Sequence, residues 1–173
     1  MTIIKSNPYT TNEWLNMLRE AQTRIGVNTD QDLERFLVNL FEKTLQEPNY
    51  PNAELEDAFF FLSKKKTFSN QEISTLADKC LIQIGLYPNK ISSSALTPDI
   101  VIHSGKKLYN HLSNQPSNDE IPYEKISQHF ITLMDVLLSF REDIFTNEPL
   151  SPEIIFYLWE HSESQYAKKR LIR

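Results

Sequence analysis

Apolar residues recur along this chain at the three-and-four spacing of helices that bury one face. The spacing is plainest between Ser69 and Leu112. Ile73, Leu76, Ala77, Cys80, Leu81 and Ile84 fall on one stripe, and Ser69 with Glu72 precedes them at capping-box spacing. There a hydroxyl and a carboxylate can satisfy the free backbone donors of the first turn. Gly85 is expected to stop this helix in a left-handed conformation, with Leu86 folding back on Leu81. Pro88 then forbids continuation. Thr97-Pro98-Asp99 reads as a restart, with Thr as N-cap and Pro in the first position. The inner face of that second helix is Val101, Gly105, Leu108 and Leu112, with Ile100 and Tyr109 beside it.

The same pattern predicts the other elements. Thr10-x-x-Glu13 is a second capping box, followed by Trp14, Leu18, Ala21 and Ile25, with a break near Gly26. Thr29 and Asp32 repeat the start signal before Leu33, Phe36, Leu37, Leu40, Phe41 and Leu45, and Pro48 and Pro51 are expected to end that helix. Residues 53–63 predict a short helix with Leu55, Ala58, Phe59 and Leu62 inward and Phe60 and Phe61 on other faces, since each residue turns by about 100°. Asn89–Leu96 and Ser113–Glu120 read as polar loops. Ile121-Pro122 opens what reads as the longest helix, with Ile126, Phe130, Leu133, Met134, Leu137 and Leu138 inward and an end near Arg141–Phe145. Ser151-Pro152-Glu153 starts the last, whose apolar part is Ile154, Ile155, Tyr157, Leu158 and Trp159. These elements predict an all-α, single-domain bundle of six or seven helices spanning residues 1–173, with Ile73–Ile84 and Ile126–Leu138 at its centre.

The segment LADKCLIQIGLYP (Leu76–Pro88), with the downstream Gly105-Lys-Lys-Leu-Tyr109, resembles a family of uncharacterised, mostly proteobacterial proteins. Members carry an Asp-x-x-Leu…Gly-Leu-Phe-Pro run and a later Gly-x-x-x-Tyr; here Tyr87 stands in place of the usual Phe. The resemblance rests on caps and packing residues. It supports the fold and implies no activity.

Composition changes this picture little. At 173 residues, 40% hydrophobic and 24% charged, the chain is large enough for a core without staples. The single Cys80 rules out an internal disulfide and suits a reducing cytoplasm. No apolar run nears the roughly 18 residues of a membrane span, and the amino terminus has no signal-peptide pattern. Charge is uneven: residues 61–110 carry 7 basic and 3 acidic groups, against 5 and 10 before them and 6 and 10 after.

Candidate chemistry is sparse. His103, His111, His129 and His161 lack metal-site spacing, so no metal and no cofactor is expected. Ser104-x-x-Lys107 matches four letters of an acyl-enzyme motif without its companions. Cys80 lies inside an apolar stripe, which predicts an inert thiol. Three glycines build no phosphate loop, and eleven residues between the hub helices are too many for a helix-turn-helix, so nucleic acid is not expected. No catalytic residue is assigned. The leading expectation is a protein partner or a homodimer, met at Phe60, Phe61 and Tyr87. The alternative is a small-anion or nucleotide-binding regulator using His103, Lys106, Lys107 and Tyr109 of the basic middle segment.

Overall fold

A computed structural model describes residues 9–46, 54–93, 96–116 and 120–172. Among these, nine α-helices and one 3-10 helix follow one another without a strand: α1 Thr11–Ile25, α2 Gln31–Gln46, α3 Leu55–Leu62, α4 Asn70–Leu86, the 3-10 helix Pro88–Ser93, α5 Pro98–Ser113, α6 Tyr123–Gln128, α7 Phe130–Ile144, α8 Pro152–His161 and α9 Gln165–Leu171. The protein is an all-α bundle. No described helix is long and apolar enough to cross a membrane.

Two helices carry the centre. α4 is buried on nearly every side from Leu76 to Leu86, and α7 from Leu133 to Arg141. They pack on each other, with α5 against α4 and α1 against the far side of α7. The stripes predicted for α1, α4, α5 and α7 are buried as read, and both capping boxes form: Thr10 with Glu13, and Ser69 with Glu72.

Gly85 differs from its expected role. It lies inside α4, which runs on to Leu86, and its φ is not positive. What it supplies is room: a Cβ there would meet the Leu137 Cβ at 2.6 Å. Gly105 is the equivalent notch on α5, where a Cβ would stand 2.5 Å from the Phe130 ring and 3.1 Å from the Cys80 Cβ. The left-handed glycine is instead Gly26, at φ 69°, which caps α1 and turns the chain into α2.

Other boundaries shift for local reasons. The α2 cap is Asp30, whose Oδ1 accepts from the Leu33 N–H at 3.0 Å. Thr29 instead donates through both its N–H and its hydroxyl to Gln22 Oε1. Pro48 and Pro51 lie outside the described residues. The stretch after Pro88 is a 3-10 helix where an irregular loop was expected. The predicted long helix divides at His129, whose φ of −105° and ψ of 20° leave helical values, and the polar stretch after α8 winds into α9. These two divisions account for the larger helix count.

α3 ends on Lys64, at φ 61° the one described residue other than glycine with positive φ; the Lys64 N–H donates to the Phe61 carbonyl and the Lys65 N–H to the Phe60 carbonyl. That turn normally selects glycine, because a Cβ in the left-handed region costs about 1 kcal/mol. Lys64→Gly is therefore expected to raise stability by about 0.5–1 kcal/mol, read as a higher urea midpoint at unchanged slope. A lower midpoint would refute this account of the turn.

Candidate functional site

The four residues expected to gather at the basic middle segment do not all share a surface. His103 and Lys107 are exposed, one turn apart on α5, and Lys106 is half-buried. Tyr109 points the other way and is fully buried, its hydroxyl donating to Asp78 Oδ1 at 2.6 Å. Its ring lies among Phe36, Tyr123 and Phe130.

Asp78 also borders a cleft of about 460 Å³ between α2, α4 and the segment entering α6. α2 contributes Asp32, Arg35, Phe36, Asn39 and Lys43; Ser74 and Asp78 come from α4, and Glu120 to Tyr123 form the remaining wall. The volume suits a small ligand. Several of its polar groups, however, already serve the fold. Asp32 pairs with Lys125 at 3.2 Å and with Arg35 at 3.9 Å. Glu42 accepts from the Thr11 hydroxyl at 2.7 Å, and Asp78 holds Tyr109.

The reactive-looking groups are equally engaged. Cys80 is buried, and burial first, then the neighbouring Asp78, pushes its thiol up to about 12. Ser104 is buried while Lys107 stands in solvent. Among the described residues, no group of three His, Cys, Asp or Glu side chains could hold a metal ion.

Asp135 is a buried acid whose role the sequence pattern did not reveal. It accepts from the Ser164 hydroxyl at 2.5 Å and from the Gln165 N–H at 2.7 Å, so it anchors the start of α9. Burial raises its carboxyl from 3.8 to about 6 against these bonds, which pull it down. Folded Asp135 therefore holds a proton in the window between about 4 and 6 where the unfolded chain does not. Its contribution is complete below that window and lost as pH rises through it. Against Asp135→Asn, the parent should gain on the order of 2–3 kcal/mol in relative stability between pH 7 and pH 4. Parallel melts of the two proteins at both pH values give that difference, and a constant gap contradicts the assignment.

Among the described residues, four of the exposed large apolar side chains are aromatic and fall in two pairs on α3 and α8. On α3, Phe59 is 48% and Phe60 41% exposed, with ring centroids 6.2 Å apart. On α8, Phe156 is 50% and Trp159 48% exposed, 5.6 Å apart. The opposite faces of both helices are packed, through Ala58 on α3 and through Ile154 and Leu158 on α8. Phe59, expected to point inward, is thus exposed. Phe61, expected at a surface, is half-buried against Phe68 and His111, because α3 rests on α5 through its Ala58–Phe61–Leu62 side. Tyr87 is drawn in as well, against Phe145 at 5.4 Å with the Lys90 ammonium over its ring, and burial raises its hydroxyl. Phe156 carried no weight in the sequence pattern; its i, i+3 spacing to Trp159 was the available signal. No family model, curated protein or solved structure matches the chain.

Proposed function

We propose that this chain is a non-catalytic helical protein of the cytoplasm that works by docking a protein partner on the aromatic faces of α3 and α8. One observation carries the proposal: four large aromatic side chains stand about half-exposed, in two pairs, on helices packed into the fold through Ala58 on α3 and through Ile154 and Leu158 on α8. Large rings left in water at paired positions are the side chains that dominate protein interfaces. The engagement of Asp32, Glu42 and Asp78 of the cleft within the fold favours this reading over a small-molecule site.

The test is affinity capture from extract of the native host, comparing the parent with Phe60→Ser/Trp159→Ser. Both positions are exposed, so the variant should keep its helicity. Loss of a specific co-purifying protein supports docking at these faces, and an identical set from both baits defeats it.

A further inference from the structure

We infer that the outward face of α8 takes a basic segment of the protein partner, one that sets lysine or arginine on either side of an apolar side chain; this rests on the docking reading above. The face is a single stripe. Glu153, Phe156, Trp159 and Glu160 are exposed at i, i+3, i+6 and i+7, while Ile154 and Leu158 are buried on the other side of the helix. A carboxylate therefore stands one turn to either side of Phe156, and the Trp159 ring lies 5.6 Å from the Phe156 ring.

The charge along this stripe has one sign. Residues 142–167 hold six acidic side chains and no lysine or arginine. Glu142 pairs with Arg170 and Asp143 with Arg24. Among the described residues, no lysine or arginine pairs with Glu153, Glu160 or the exposed Glu163 that follows the helix. Glu153 accepts from the Ser151 hydroxyl, and Glu160 lies 3.7 Å from the His161 imidazole. The elements packed against α8 are α9, α5 and the 3-10 helix, and several of their cations are held elsewhere. Lys169 donates to the Arg24 carbonyl, Arg170 pairs with Glu142, and the Lys90 ammonium lies over the Tyr87 ring. Lys168 is exposed on α9, beyond the extended residue Ser162 that ends α8. α5 meets α8 through Asp99, which accepts from Tyr157; His103 lies one turn further along α5, and Lys106 and Lys107 about two turns further. The aromatic pair of α3 differs, because Glu54 and Glu56 are exposed there as well as Lys64 and Lys65. Its rim selects neither sign.

The chemistry of the occupant follows from these groups. A guanidinium or ammonium over the Trp159 ring is attracted by the ring face and can pair with Glu160, while an apolar side chain covers Phe156. The exposed halves of the two rings amount to roughly 200 Å². A standard interface between domains buries about 800 Å² per partner. The occupant is thus a short segment, bound with a Kd on the order of ten micromolar. The same carboxylates repel phosphate, which sets nucleic acid and anionic lipid against this face.

Random peptides displayed on phage and selected on the immobilised full chain test the inference. The recovered peptides should be enriched in lysine and arginine flanking leucine or an aromatic residue, and salt should weaken their binding. Synthetic copies should bind Phe156→Ser/Trp159→Ser and Glu153→Lys/Glu160→Lys about tenfold less tightly or worse. Selection on the charge-reversed variant should return acidic peptides instead. Circular dichroism melts confirm that both variants fold. A selection that enriches nothing, peptides without a basic bias, or peptides that bind both variants like the parent each overturns the basic occupant. Such a result, beside a specific protein lost from extract by the Phe60→Ser/Trp159→Ser bait, would end the basic occupant while the docking reading stood; failure of both experiments ends both.

Discussion

Gly85→Ala should cost about 1–2 kcal/mol net, although alanine is the better helix former. The propensity gain is about 1 kcal/mol in a helix interior, and a left-handed cap is not at issue, since Gly85 lies within α4 with an ordinary φ. The opposing effect is larger. The new Cβ would stand 2.6 Å from the Leu137 Cβ, an atom fixed to the α7 backbone, so the two central helices must separate. Overpacking of a filled core costs typically 1–3 kcal/mol and more where backbone has to move. Trimming Leu137 to alanine should relieve little, because its Cβ remains. Gly105→Ala makes a contrast, since its nearest neighbours are the far atoms of the Phe130 ring, and Phe130→Leu should recover part of the loss. Urea melts of the five proteins give these values. A Gly85→Ala variant as stable as the parent would mean that α4 and α7 do not meet at this notch.

Arg141→Leu is the second large loss, about 2–4 kcal/mol. The guanidinium is buried at the end of α4, where Nε donates to the Leu86 carbonyl at 3.1 Å and an Nη donates to the Glu148 carbonyl at 2.9 Å. Leu86 carries one of the carbonyls left without a partner at a helix C-terminus, and a cation suits that end of the dipole. Hydrogen bonds from a charged donor contribute about 1.5–3 kcal/mol each. Burial of the guanidinium, which lowers its pKa, offsets part of this. Arg141→Lys should recover less than half, because one ammonium cannot span two carbonyls held by separate elements. If Arg141→Leu melts with the parent, the cation does not tie the segment after α7 to the end of α4.

Most of the fold was legible locally. The stripes of α1, α4, α5 and α7 were readable because a 3.6-residue period reports a buried face whatever it is buried against. The two capping boxes were readable because their bonds close within four residues. The misread parts share one cause. Gly85 and Gly26 are the same letter, and only the approach of Leu137 separates a notch from a cap. Phe59, Phe60 and Phe61 are one run of three, and the seat of α3 on α5 decides which ring is covered. Asp135 reads as a stray acid within an apolar stretch until Ser164 arrives from 29 residues downstream.

The candidate site followed the same division. Exposed His103 and Lys107 sit on the predicted polar face of α5, yet Tyr109, two residues beyond Lys107, turns into the core to hold Asp78. By itself the amino-acid sequence determined that this chain is helical, where α1, α4 and α5 begin, and which stripes the main helices bury, since those depend on periodicity and on bonds between near neighbours. Tertiary structure alone decided which glycine is a notch, which carboxylate anchors α9 and which aromatic pairs remain in water. Each of those depends on the distance between atoms far apart in the chain, which no local pattern encodes.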